Sequence, residues 1–229
     1  MSELWVAHLP PTPYGDGLAI QERIRDRRQA GEIPDALLLL EHPPVYTKGR
    51  RTEPGDLPMG EDWYLSQGIE VEESDRGGRV TYHGPGQLVG YPIMAVRDVP
   101  AYVRTMELAM IDALAGEGID ARVRKGLTGV WAGESKIGSI GVHVSRGITT
   151  HGFAVNADND LQPFEWIVPC GIDHVRMTSV SRETGRTDTL GCFRKRVAYS
   201  FTQAFGSRQR VVSLRRLLEQ GRKLESLPA

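Results

Sequence analysis

The chain has 229 residues, enough to bury a substantial core and few enough that one domain is the expectation. Hydrophobic residues make up 40% and charged residues 25%, which excludes a disordered or fibrous protein. The 28 basic and 29 acidic side chains nearly cancel, so no overall field draws the chain to nucleic acid or to an anionic membrane.

The first residues, MSELWVAHLPP, contain no basic segment leading into an apolar run, and no stretch is long enough to span a bilayer, so the expected compartment is the cytoplasm. Two cysteines, Cys170 and Cys192, are too few for a disulfide framework, and reduced thiols are expected. CxxC spacing is absent and the six histidines do not pair at i, i+4, so no metal site is expected.

In chain order, residues 4–9 alternate loosely as a strand, and residues 16–30 form a helix with Leu18, Ile20 and Ile24 on an apolar side and Gly31 as its stop. The continuous apolar run at 36–40 is a strand buried on both faces, ended by His42-Pro43-Pro44. A long loop follows through Gly49, Pro54, Gly55, Pro58 and Gly60, then a short strand at 69–72. After a glycine-rich stretch, residues 88–94 resume a strand. Residues 101–115 make the best helix, with Val103, Met106, Met110 and Leu114 on one side and Gly116 and Gly118 closing it. Residues 130–134, 137–144 and 150–155 form a meander, with Ser145-Arg146-Gly147 at a hairpin tip. Helices at 192–205 and 214–224 complete one α+β domain on a mixed sheet.

Three segments carry chemistry. Residues 76–87 (RGGRVTYHGPGQ) pack four glycines and a proline into twelve positions. Such a stretch serves either as a tight loop between strands or as bare main chain whose N–H groups can meet a carbonyl or phosphate oxygen. Cys170, between Pro169 and Gly171, suits a thiol presented at a strand end. An unperturbed thiol, with a pKa of ~8.5, needs a base or cation beside it at neutral pH. Lys136 is one candidate partner, because it lies between Ser135 and Ile137 in an otherwise apolar β segment where a desolvated amine can accept a proton. His83 and His151 are rival bases.

In order, RGGRVTYHGPGQLVGYPI, SKIGSIGVHVSRGITTHGFAVN and FEWIVPCGI resemble the defining segments of the lipoyl(octanoyl) transferase family, over residues 37–180. The resemblance implies a fold shared with lipoate–protein and biotin–protein ligases: a larger mixed sheet, a smaller sheet and flanking helices. It implies one catalytic domain over residues 1–229 with a basic helical tail from about 190. It also implies that Cys170 carries the acyl group while Lys136 tunes the thiol and shuttles protons. The family's acyl-binding segments fall on Arg76, Gly77, Gly78, Arg79, Val80, Thr81, Tyr82 and His83, on Ser139, Ile140 and Gly141, and on Gly152, Phe153 and Ala154, with His151 as a possible auxiliary.

The implied donor is octanoyl-acyl carrier protein. The implied acceptors are lipoyl domains of 2-oxoacid dehydrogenase complexes and the glycine cleavage H protein. No cofactor, nucleic acid or membrane is expected, and a monomer is. Since such partners are typically acidic, Arg50-Arg51, Arg122/Arg124/Lys125 and Arg194-Lys195-Arg196 are candidate steering groups. The competing readings are an ATP-dependent lipoate or biotin ligase, a non-catalytic lipoyl-domain binder and a thioesterase.

Overall fold

A computed structural model describes residues 2–169 and 175–219. Its strands are β1 (Ser2–His8), β2 (Asp35–Leu40), β3 (Val45–Lys48), β4 (Glu70–Glu73), β5 (Thr81–His83), β6 (Gln87–Ile93), β7 (Ala121–Arg124), β8 (Leu127–Ala132), β9 (Ser135–Ser145), β10 (Ile148–Asn156) and β11 (Ser207–Val211). The helices are α1 (Tyr14–Gln29), α2 (Glu61–Ser66), α3 (Val99–Ala115), α4 (Val180–Thr184), α5 (Leu190–Ala204) and α6 (Leu214–Leu218). One sheet has eight strands in the order β11-β1-β2-β6-β10-β9-β8-β7, and a second has three, β4-β3-β5. The expected α+β class with a larger mixed sheet and a smaller one is the observed architecture.

The apolar run of β2 is buried on both faces, as its composition requires. Leu37 and Leu39 join the cluster beneath α3 and α5, while Leu38 and Leu40 join the one beneath α1. Helix α3 is capped by Asp98, whose side chain accepts from the Ala101 N–H at 3.0 Å, and it buries Met106, Met110 and Leu114 as expected. The β9–β10 hairpin turns on Arg146 and Gly147, both at positive φ (50° and 78°), the primed turn whose twist matches its strands.

Helix α1 differs from its expected face. The buried positions are Tyr14, Gly17, Gln21 and Ile24, whereas Leu18 and Ile20 are only partly covered. A Cβ at Gly17 would come within 3.2 Å of the His42 ring, so glycine lets the helix approach the sheet there. Tyr14 and Gln21 are thereby directed inward as polar groups, which hydrophobic periodicity does not register.

The loop expected between 41 and 68 contains β3 and α2, and the glycine-rich stretch contains β5. These short elements hold together through aromatic packing: Tyr46 meets Tyr64 at 4.8 Å and Tyr82 at 5.6 Å between ring centroids, and Tyr82 meets Phe164 at 5.4 Å. Strand β8 starts earlier and ends earlier than the expected 130–134, because Gly133 at φ 52° turns the chain. Strand β11 was missed, and of the helix expected at 214–224, residues 220–224 lie outside the described residues. No helix among the described residues is long and apolar enough to cross a membrane.

Candidate active site

Lys136 owes its direction to a bulge. Val130 opposes Gly138 while Trp131 opposes Lys136, so Ile137 is an extra residue on β9. Ile137 packs in the α3 cluster, and a Cβ at Gly138 would meet Met110 Sδ at 3.2 Å, so both face α3. The two consecutive inward residues re-phase the strand and put Lys136 on the same side as Ser139 and Gly141, where all three line one cavity. Lys136 is 2% exposed. Its Nζ stands 5.7 Å from the centre of the Trp131 ring, within cation–π range. A Cβ at Gly129, which has φ 121°, would touch Lys136 Cε at 2.8 Å.

The cavity, partly open to solvent, has a volume of about 160 Å³. Val89, Ile140, Phe153 and Ala154 supply apolar wall, and Gly141 lies opposite Gly152 in the β9–β10 ladder. Across from these strands runs the glycine-rich loop. The density of glycine there has a steric cause. A Cβ at Gly49 would lie 2.5 Å from the Gly78 carbonyl, and one at Gly141 would lie 2.8 Å from the Gly77 carbonyl.

Arg76, 8% exposed, holds that loop in shape. Its Nε and Nη2 donate to Thr47, and its Nη1 donates to the carbonyls of Gly77 and Arg79 at 3.2 and 2.8 Å. The Arg79 guanidinium grips the fully buried Asp56 carboxylate through Nε (2.9 Å) and Nη2 (2.6 Å) and also reaches Glu53. The Asp56 carbonyl in turn accepts from the Val168 N–H at 3.0 Å. The loop is thus tied to the segment that runs into Pro169.

Beyond the apolar wall, rings gather. Tyr14 stacks on His83 with centroids 6.4 Å apart, His42 lies 5.7 Å from His83, and Tyr91 lies 6.4 Å from His151. Burial pulls His42 down to about 4 and His83 down to about 3, so both are neutral near pH 7. His83 is therefore a poor base. His151 sits at φ 56°, rare for a residue inside a strand, with its N–H on Gln21 Oε1 (2.7 Å) and its Nε2 on Asp75 (2.5 Å). Its burial outweighs the carboxylate and keeps it below the usual imidazole value.

Of the residues expected to bind acyl, Arg76, Gly78, Arg79, Thr81 and His83 line the cavity, as do Ser139 through Gly141 and Gly152 through Ala154; His151, expected as an auxiliary, lines it as well. Gly77 serves the loop instead, its N–H on the Val142 carbonyl at 2.9 Å, while Val80 and Tyr82 fill the core under the small sheet. Cys170 lies outside the described residues. Tyr14, Tyr91, Val89 and Gly126 through Thr128 line the cavity and were missed, and Arg51, expected only as a steering group, lines it too. Tyr91 had a partial signal, a phenol within the strand expected at 88–94; Tyr14 had none.

Among the steering candidates, Arg194 is paired with Glu41 and Arg196 with Glu117. Arg124 pairs with Glu134 and covers the Trp131 ring at 4.5 Å, and Arg122 lies 3.9 Å from the same Glu134 carboxylate. Arg50 and Arg51 are exposed, and Arg51 stands on the cavity wall.

The family described as the lipoyl protein ligase A/B catalytic domain matches residues 13–202. An octanoyltransferase of Rubrobacter xylanophilus is 48% identical over 199 residues, covering 85% of this chain and 90% of that protein. One from Caldicellulosiruptor saccharolyticus is 42% identical over 217 residues, 92% of each. Among solved structures, a bipartite lipoate protein ligase of Thermoplasma acidophilum superposes with a TM-score of 0.74 at 18% identity, over 95% of this chain and 91% of that one. The chain belongs to the octanoyltransferase family, acyltransferases built on the lipoyl protein ligase A/B catalytic domain.

Proposed function

We propose that this enzyme moves an octanoyl group from octanoyl-acyl carrier protein onto a lysine of lipoyl domains, through a thioester on Cys170, acting as a cytoplasmic monomer. The observation that carries the reading is the setting of Lys136. The side chain is buried at a cavity with an apolar wall, and its backbone is clamped to the segment around Met177, a few residues past Cys170 in sequence: Lys136 N–H donates to the Arg176 carbonyl (2.8 Å) and Thr178 N–H donates to the Lys136 carbonyl (2.9 Å).

In the first half-reaction the Lys136 amine takes the thiol proton. The Cys170 sulfur attacks the donor carbonyl, and the resulting ammonium protonates the departing pantetheine thiolate. In the second, a substrate lysine amine attacks the new thioester, Lys136 takes a proton from it, and the Cys170 sulfur leaves and is reprotonated. Thioester exchange is close to isoenergetic and amide formation runs downhill, so no nucleotide is needed. General acid–base work of this kind contributes about 10²–10⁴-fold. Main-chain N–H groups of the glycine-rich loop are suited to steady the oxyanion. The apolar wall favours an acyl chain by roughly 0.8 kcal/mol per buried methylene.

The exposed Arg50-Arg51 pair steers acidic carriers to the mouth. Fold likeness extends to a lipoate-protein ligase A solved with ATP, with a TM-score of 0.68 at 18% identity, so the ligase reading has a direct test. Octanoyl-carrier protein and an apo lipoyl domain should give octanoylated domain in EDTA without nucleotide. Product only from free octanoate with ATP and magnesium would replace the transferase with a ligase.

A further inference from the structure

The register of β9 gives the cavity a direction. Lys136 stands at one end, Ser139 pairs with Ala154, Gly141 with Gly152, and Val142 with His151, so the His151 end lies roughly 15–20 Å along the strand from Lys136. Four rings meet there: Tyr14, His83, Tyr91 and His151. The bonding network fixes where each of their protons points.

The Tyr14 hydroxyl donates to Ser74 Oγ at 2.7 Å. The Thr12 carbonyl, which can only accept, lies 2.6 Å from His42 Nδ1, so that nitrogen carries the hydrogen. His42 Nε2 then accepts from the Tyr91 hydroxyl at 2.6 Å. The Gln87 amide nitrogen donates to the Tyr82 carbonyl and to Asn156 Oδ1, which turns its oxygen toward His83 Nδ1 at 2.7 Å. His83 Nδ1 is therefore the donor and Nε2 the acceptor. His151 gives its Nε2 hydrogen to the Asp75 carboxylate, leaving Nδ1 as its acceptor. The nearby Arg76 donates to Thr47 and to the carbonyls of Gly77 and Arg79. Every proton of the four rings is committed away from the cavity, so this end presents acceptors: two phenol oxygens and two imidazole nitrogens.

Acceptors facing one another across an apolar wall want a donor between them. We propose that this end of the cavity is a donor site, held by water when a plain acyl chain stops short of it and by a terminal hydroxyl when the chain carries one. Octanoyl then fits beside the water, a longer plain chain must expel it and strand the acceptors, and an ω-hydroxyacyl chain of that longer reach replaces it. Tyr91 and His83 thereby limit chain length by polarity rather than by a wall. The inference rests on the octanoyl-transfer reading.

The test compares three donors on the same acyl carrier protein: octanoyl, nonanoyl and ω-hydroxyoctanoyl, the last two with equal numbers of heavy atoms. A buried methylene gains roughly fourfold, while stranding a polar group loses about fivefold to a hundredfold. The expected result is ω-hydroxyoctanoyl preferred over nonanoyl by about tenfold or more in kcat/KM. Tyr91→Phe should reduce that preference to less than about threefold. Nonanoyl equal to or better than ω-hydroxyoctanoyl with the wild-type enzyme overturns the donor site, and needs no variant. If octanoyl itself is not transferred, the transferase reading fails instead. Calorimetry with octanoate, nonanoate and ω-hydroxyoctanoate then decides the donor site separately, the hydroxylated acid binding tighter if it exists and no tighter than nonanoate if it does not.

Discussion

Lys136 and Met177 are neighbours in a parallel β-bridge, with the main chain of Lys136 bonded to the residues on either side of Met177. The segment at 176–178, a few residues past Cys170 in sequence, is therefore held against the buried lysine. If Lys136 is the proton acceptor, Lys136→Ala should cut transfer by about 10²–10⁴-fold while the fold survives. Lys136→Arg keeps a charge yet supplies no usable base, so it should fail comparably. Alkylation of Cys170 by iodoacetamide, followed against pH, checks the pairing: the alanine variant should need a higher pH to react. Coincident curves would remove Lys136 from that role.

The loop carbonyls against Gly49 make a steric prediction. Gly49→Ala pushes a methyl into the Gly78 oxygen, and overpacking of this sort costs about 1–3 kcal/mol. Gly55→Ala, where nothing lies within 4 Å of the added carbon, should be close to neutral. Urea denaturation of the two variants reads the difference. Equal midpoints would mean that the loop is not held as described.

Asp56 is wholly buried beneath Arg79 and carries the chain toward Pro169 through its carbonyl. Arg79→Ala should lower the thermal midpoint by several degrees and slow transfer, since it leaves a buried carboxylate without its partner. The double variant Arg79→Met/Asp56→Leu should recover stability better than activity. Full activity in the single variant would show that the link positions nothing.

Acid should loosen the ring cluster. His42 titrates near 4 and His83 near 3 when folded, against 6.5 unfolded, so between those values the unfolded chain binds more protons. Stability is therefore retained above about pH 6.5 and falls as pH drops toward 4, by up to about 1.4 kcal/mol per pH unit for each histidine. Urea midpoints from pH 7.5 to 4.5 should show this slope, and His42→Gln should shallow it. A flat profile would contradict the buried neutral imidazoles.

What the sequence disclosed followed the strength of each local signal. The long apolar run of β2, the periodic α3 and the β9–β10 hairpin announce themselves because burial, helical spacing and a primed turn each leave a regular mark. The short strands β3 and β5 do not, since four or three residues held by Tyr46, Tyr64 and Tyr82 draw their stability from contacts distant in sequence. Residues of the first two motifs gather at one cavity, yet motif membership did not separate Arg79, which faces the cavity, from Val80 and Tyr82, which fill a core. Lys136 illustrates the same limit: its residue type was suggestive, but the bulge at Ile137 that aims it depends on pairing with β8.

The thioester is the centre of the account, and intact mass of the protein after incubation with octanoyl-acyl carrier protein tests it most directly. The expected product is a single octanoyl adduct on Cys170 that hydroxylamine removes, that disappears on adding an apo lipoyl domain, and that is absent in Cys170→Ala but present in Cys192→Ala. An unmodified enzyme that still octanoylates the domain, or near-normal transfer by Cys170→Ala, would contradict it.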